Sequence, residues 1–150
     1  MKTICNPREL LSRHGIDPNP NRDLILGVIA SSAQAMVPKS ILSEVRKKRS
    51  MDKVTLYRIL DLHVDKRVLR RIATLTGTMR YEVVCAEHNP EHPHFVCRTC
   101  GDMECLEDID LASVRRGIQK KRKLITEGID LKLEGVCFKC SPEQKGARSR

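Results

Sequence analysis

Four cysteines in two matched pairs carry the clearest chemical signal in the chain. Cys97-Arg98-Thr99-Cys100 and Cys137-Phe138-Lys139-Cys140 are Cys-x-x-Cys knuckles with 36 residues between them. A knuckle turns two thiolates onto one ion, and two knuckles complete the tetrahedral sulfur shell that zinc prefers. Gly101 follows the second sulfur, where the backbone must turn tightly. Four protein ligands leave no open coordination position, so the expected role of this Zn2+ is structural. It would staple the C-terminal strand to the middle of its domain, and binding energy would become folding energy. Disulfides or a redox dithiol are the alternatives, but two matched pairs speak for metal where a lone pair would not.

A second group is Cys85, His92, His94 and Cys105, with His88, Glu104 and Glu107 nearby. His92-Pro93-His94 sets two imidazoles at i and i+2, which face the same side of a strand and suit chelation. With two thiolates the set favours a second Zn2+ over hard cations and could also take Fe2+. The alternative is that Cys85 and Cys105 are small buried core residues and the histidines belong to a surface loop. His14 and His63 stand alone and read as structural or exposed, and Cys5 has no evident partner. No nucleophile elbow, phosphate-cradling glycine loop or His-Glu-x-x-His helix is present. The chain is therefore expected not to be an enzyme and to have no small-molecule substrate.

Composition narrows the partners. Of 150 residues, 28 are Lys or Arg against 19 Asp or Glu, a formal net charge of +9. The excess is local: residues 41–80 hold 11 basic and 4 acidic side chains. Such a field attracts phosphate backbones, although a charge run alone can also be a solvated surface. The basic tail at 141–150 reads as a loose end. The N-terminal residues lack the apolar core of a signal peptide, and the longest apolar run, Leu24 to Ala30, is too short to cross a bilayer. A cytoplasmic protein without membrane contact is expected, and there paired cysteines mean metal.

The elements that must position these groups fall into two halves. Pro7 to His14 reads as a short helix stopped by Gly15. Asn21 can cap a second helix carrying Leu24, Ile25, Val28 and Ile29, and Pro38 opens a third with Ile41, Leu42 and Val45 apolar. Ser50 or Asp52 can cap a fourth, in which Val54, Leu56, Tyr57, Ile59 and Leu60 form the apolar stripe and Lys53, Thr55 and Arg58 face outward. Two strand-like segments, Val68 to Thr74 and Met79 to Val84, flank a turn at Gly77. Three helices and a basic hairpin are the order of a winged helix-turn-helix, which lays one helix in the DNA major groove. From Cys85 the character changes. Strand-like pieces at His94 to Cys97, Asp102 to Leu106 and Gly128 to Val136 surround a helix from Ile109 to Ile125, with Leu111, Val114 and Ile118 on one side. Such a unit with an open sheet edge could form a dimer. The expected fold class is α+β: a winged helix-turn-helix DNA-binding domain at 1–84, a hinge near 85–92 and a small α/β dimerisation domain with the four-cysteine zinc site at 85–150.

With these residues in place, the chain resembles the ferric uptake regulator family of metal-dependent repressors over nearly its whole length. Asp52-Lys53-Val54-Thr55-Leu56-Tyr57-Arg58-Ile59-Leu60 resembles the family's recognition helix, and Arg22 the arginine that opens its second helix. Tyr81-Glu82 is similar to the end of the wing. His92-Pro93-His94-Phe95-Val96-Cys97-Arg98-Thr99-Cys100-Gly101 and Gly135-Val136-Cys137-Phe138-Lys139-Cys140 resemble its two metal blocks. The resemblance implies a homodimer with structural zinc on Cys97, Cys100, Cys137 and Cys140, and a regulatory metal on Cys85, His92, His94 and Cys105. Tyr57 and Arg58 would contact operator DNA, with Arg22, Lys53 and Thr55 in the same surface. Metal and DNA would strengthen each other's binding by linkage.

The chain departs from the iron-sensing pattern. Ala35, Met36 and Val37 stand where a histidine is usual, Cys105 replaces a carboxylate, and Ile129 replaces a further histidine. Cys85, just after the wing, resembles the zinc-uptake branch. Arg67 replaces a frequent glycine and Asp17 a frequent basic residue. The expected function is zinc-dependent repression of metal-uptake genes through a palindromic, AT-rich operator. The alternatives are an iron-sensing regulator, or a non-sensing DNA-binding module whose only metal is the structural zinc.

Overall fold

A computed structural model of the chain describes residues 5–75, 77–85, 87 and 89–143. His88 and residues 144–150 of the basic tail lie outside the described residues. The chain divides into two compact units, one of Met1–Ala73 with Gly77–Pro90 and one of Glu91–Arg150 with Thr74–Thr76. The division falls between Pro90 and Glu91, later than the change of composition at Cys85.

The first unit holds α1 (Pro7–Arg13), α2 (Pro20–Ala30), α3 (Pro38–Arg46) and α4 (Lys53–Asp65), then β1 (Leu69–Ala73) and β2 (Met79–Val83). Each of the first three helices opens on a proline, whose missing N–H has no partner to lose in the first turn. The cap of α2 is Asn19, not the expected Asn21. Pro20 takes the first helical position, so the residue before it must cap, and Asn19 Oδ1 accepts from the Arg22 N–H at 2.9 Å. Asp52 precedes α4, where its carboxylate accepts from the Thr55 hydroxyl. Strands β1 and β2 pair antiparallel, with Gly77 at φ +82° in the turn. Met36 adds a bridge to Tyr81 on the other side of β2. The helices and hairpin close over one apolar core that includes Leu11, Ile25, Leu26, Ile41, Val45, Leu56, Leu60 and Leu69. This is a winged helix-turn-helix.

One side of α4 differs from the expected one. Val54 and Tyr57 are 56% and 46% exposed, while Leu56, Leu60 and His63 are buried. The helix is apolar around much of its circumference, so spacing alone offers two stripes. The core takes the one at i, i+4 and i+7 that carries both leucines. Val54, Tyr57, Arg58 and Asp61 are left on the solvent side.

The second unit holds β3 (His94–Cys97), β4 (Met103–Cys105), α5 (Leu111–Arg122) and β5 (Lys132–Gly135), then a short 3₁₀ turn at Phe138–Cys140. The sheet order is β4-β3-β5, with β3 antiparallel to β4 and parallel to β5. Helix α5 is shorter than expected. Asp110 caps it by accepting from the Ala112 N–H at 3.0 Å, and Lys123 ends it in the left-handed conformation. Strand β5 keeps only the part of 128–136 that pairs with β3. The unit's own core is thin: among its described residues the buried apolar side chains are Pro93, Val96, Cys97 and Leu111. Val114 and Ile118, expected beside Leu111, are 47% and 43% exposed.

Candidate metal centres and DNA-binding helix

The sheet register assembles the first centre. Parallel β3 and β5 end together, with Cys97 opposite Gly135 and the Arg98 N–H donating to the Gly135 carbonyl at 2.7 Å. The two knuckles therefore leave the same edge of the sheet side by side. Gly135 lets the strands close tightly, since a Cβ there would sit 3.3 Å from the Phe95 ring and press on it. Gly101 turns the first knuckle at φ +78°, a conformation side chains disfavour. As a result the sulfurs of Cys97, Cys100, Cys137 and Cys140 all lie within 4.8 Å of one another.

The donor set fits zinc. The Cys100 and Cys137 sulfurs are 3.7 Å apart, and a tetrahedron with zinc–sulfur bonds of about 2.3 Å has an edge of about 3.8 Å. Backbone N–H groups of Cys137, Thr99 and Cys100 point at the Cys97 sulfur from 3.3, 3.4 and 3.5 Å. Donation from Cys100 and Cys137 foremost, then Thr99, lowers the Cys97 thiol to about 6. Cys140 is pushed up to about 12 by its hydrogen bond with Cys137 and by burial. Four sulfurs this close cannot all ionise alone, and a divalent cation removes that conflict.

The second group is brought together in part. The antiparallel register sets Cys105 opposite His94. The His92 and His94 rings lie 4.6 Å apart, and both side chains are buried. His92, His94 and Cys105 offer donor atoms within 4.8 Å of one another. Cys85 belongs to the first unit, where it packs in the apolar core and hydrogen-bonds Cys5. Burial and that contact push the Cys5 thiol up to about 12. Nothing in the sequence spacing signals this pair, which the fold creates from residues eighty positions apart. Of the two isolated histidines, His14 sets its Nδ1 2.9 Å from the Leu10 carbonyl, and His63 is wholly buried.

The exposed side of α4 carries Lys53, Tyr57 and Arg58, with Thr55 half-buried against Asp52. Arg22 is half-buried and donates to the Asp17 carbonyl at 2.6 Å. The hairpin is locked to α4 by contacts the sequence did not announce. Arg71 pairs with Asp61 of α4, donates to the Tyr81 hydroxyl at 3.2 Å and lies over its ring. Opposite in register, Arg70 and Glu82 form a buried ion pair at 2.8 Å.

A winged helix in one chain with a thiolate-rich α/β unit defines a metal-linked, DNA-binding regulator. The sequence profile of the Ferric uptake regulator family matches residues 14–134, and the chain belongs to that family. It is thus a metal-responsive transcription regulator, of a family whose members are not enzymes. The Ferric uptake regulation protein of Helicobacter pylori is 22% identical over 138 residues, covering 91% of this chain and 90% of its own. The fold is shared with the solved ferric uptake regulator of Helicobacter pylori, at TM-score 0.70 and 20% identity over 93% of this chain and 97% of that one. It is shared also with the ferric uptake regulator of Pseudomonas aeruginosa with manganese, at TM-score 0.73 and 18% identity over 89% and 99%. No helix among the described residues is long and apolar enough to cross a membrane.

Proposed function

We propose that the chain is a homodimeric, zinc-responsive repressor that controls metal-uptake genes through a palindromic, AT-rich operator in the cytoplasm. The observation that carries the metal is the donor set of the second centre. Two imidazoles and the Cys105 thiol, directly opposite His94, make a softer site than carboxylates would, and soft donors favour zinc over iron or manganese. Cys85, which hydrogen-bonds Cys5 in the first unit, would be the further thiolate ligand. The structural Zn2+ would sit on Cys97, Cys100, Cys137 and Cys140 and hold the ends of β3 and β5 together.

Lys53, Thr55, Tyr57 and Arg58 would meet DNA from the exposed side of α4, and Arg22 from the start of α2. Homodimerisation is supported by apolar side chains that a single copy leaves in water: Val114 and Ile118 on α5 and Leu133 on the edge strand β5. A second copy would bury them and cap the open strand.

An iron-responsive reading is favoured by one observation: the curated relatives are named for ferric uptake. The two readings separate in one titration. Operator duplexes selected from a random pool are bound at buffered free Zn2+ and, anaerobically, at buffered Fe2+, with metal content measured on the same samples. Zinc-dependent affinity with two Zn2+ per chain supports the proposal, and dependence on Fe2+ alone replaces it. If exchanging His92 and Cys105 for alanine leaves one metal per chain and unchanged affinity, as in the wild type, the chain is a non-sensing module.

A further inference from the structure

Helix α5 carries a charge pattern that neither metal centre nor dimer needs. Arg115, Arg116, Lys120, Lys121, Arg122 and Lys123 follow one another without an acidic residue among them. Arg115 is tied to Glu91 at 3.3 Å. The other five are exposed and, among the described residues, form no ion pair within 4 Å, though Arg116 donates to the Ser113 hydroxyl at 3.3 Å. Arg116, Lys120 and Lys123 recur at i, i+4 and i+7, on the side of the helix opposite Leu111, Val114 and Ile118. A second copy covering the apolar side would leave this basic side in water.

The helix dipole explains only part of the pattern. Cations stabilise the last turn, but the effect fades within that turn, and Arg116 lies outside it. Like charges at i and i+4, as in Arg116 and Lys120, repel by a few tenths of a kcal/mol. Lys123 also ends the helix in the left-handed conformation, φ 54° and ψ 38°, where glycine or asparagine is easier. The outward cations alone match one strand of a duplex. Arg116, Lys120 and Lys123 span about 10 Å at about 1.5 Å per residue. One DNA strand sets a phosphate charge about every 3.4 Å along the axis, about three over that length.

We infer that the outward side of α5 is a second phosphate-binding surface, which engages the backbone of DNA flanking the operator. The inference rests on operator binding by the winged helix and adds to it a sequence-independent contact outside the site that α4 reads.

The test uses the full-length protein and the triple variant Arg116→Gln, Lys120→Gln, Lys123→Gln. These side chains are exposed, glutamine is a helix former comparable to Arg116 and Lys120, and at the left-handed Lys123 it replaces one non-glycine residue by another, so folding is retained. Affinity is measured from 50 to 200 mM salt on a selected operator of about 20 bp, two helical turns, and on the same operator centred in roughly 60 bp. On the long duplex the slope of log affinity against log salt should fall in magnitude by up to about 2.7, about 0.9 per lost phosphate contact. On the short duplex the variant should match the wild type. Equal slopes on the long duplex overturn the inference, as does equal weakening on both lengths, which would place the charges at the operator itself. Matching slopes with lost self-association at low salt would make the surface a protein contact instead. A wild type that binds neither duplex fails at the proposed function, a result separate from any difference between the two proteins.

Discussion

Removing the metal from the four-cysteine centre should unfold one unit and spare the other. The second unit buries few apolar side chains, chiefly Pro93, Val96, Cys97 and Leu111, each contributing about 1.5–3 kcal/mol at most. A small unit with so thin a core depends on a staple, and the proposed dimer contact adds only Val114, Ile118 and Leu133 to it. A structural zinc contributes apparent binding energies of about 10–16 kcal/mol in small zinc domains, comparable to the whole stability of an ordinary domain. The first unit has the large apolar core and none of the four cysteines. The helices α1 to α5 have 7, 11, 9, 13 and 12 residues, so loss of α5 should remove about a quarter of the helical signal. The perturbations are Cys100→Ser, and a strong chelator on the wild type. The assay is circular dichroism at 222 nm as a function of bound zinc, with amide exchange to locate the loss. Exchange should rise across β3, α5 and β5 while α2 and α4 stay protected. An unchanged spectrum at zero zinc would refute the thin-core argument, and loss of all helix together would refute the independence of the two units.

Three other outcomes follow from named contacts. His63 is held down to about 4 by burial, with the Arg22 charge adding to it, against an ordinary value of 6.5. The unfolded chain therefore binds a proton that the fold refuses between those two values. Its contribution is complete above pH 6.5 and lost as pH falls toward 4, about 3 kcal/mol in all. Urea denaturation of wild type and His63→Leu over that range should show the wild type losing stability faster, and parallel curves would contradict this. Gly101→Ala should weaken zinc retention against a competing chelator by roughly tenfold, since a left-handed alanine costs about 1–2 kcal/mol. Arg58→Ala should reduce operator affinity by tenfold or more, at about 1–3 kcal/mol for a base contact, while Asp65→Ala at the far end of α4 should change it little; fluorescence anisotropy compares the two.

Several of these features were legible before the fold. The knuckle spacing names a sulfur site because ligand geometry is local, and the order of four helices and a hairpin follows from breakers and turns such as Pro18, Pro38 and Gly77. The inward side of α4 was not legible. Its apolar residues run nearly round the helix, and only packing against the core decides between Val54 and Leu56. The pairing of Cys5 with Cys85 was equally silent, since no local rule joins a residue before α1 to one after β2. The same holds for the contacts of Arg70 with Glu82 and Arg71 with Asp61, which depend on hairpin register.

By itself the sequence determined which atoms could bind metal and which segment could enter a groove, because both are properties of residue type and short-range spacing. Tertiary structure decided which of those atoms meet. The parallel register of β3 and β5 sets Cys97 beside Gly135 and so joins the two knuckles. The antiparallel register of β3 and β4 sets Cys105 against His94. The core of the first unit draws Cys85 to Cys5. Strand register and core packing balance contacts across the whole chain, and no window of sequence contains them.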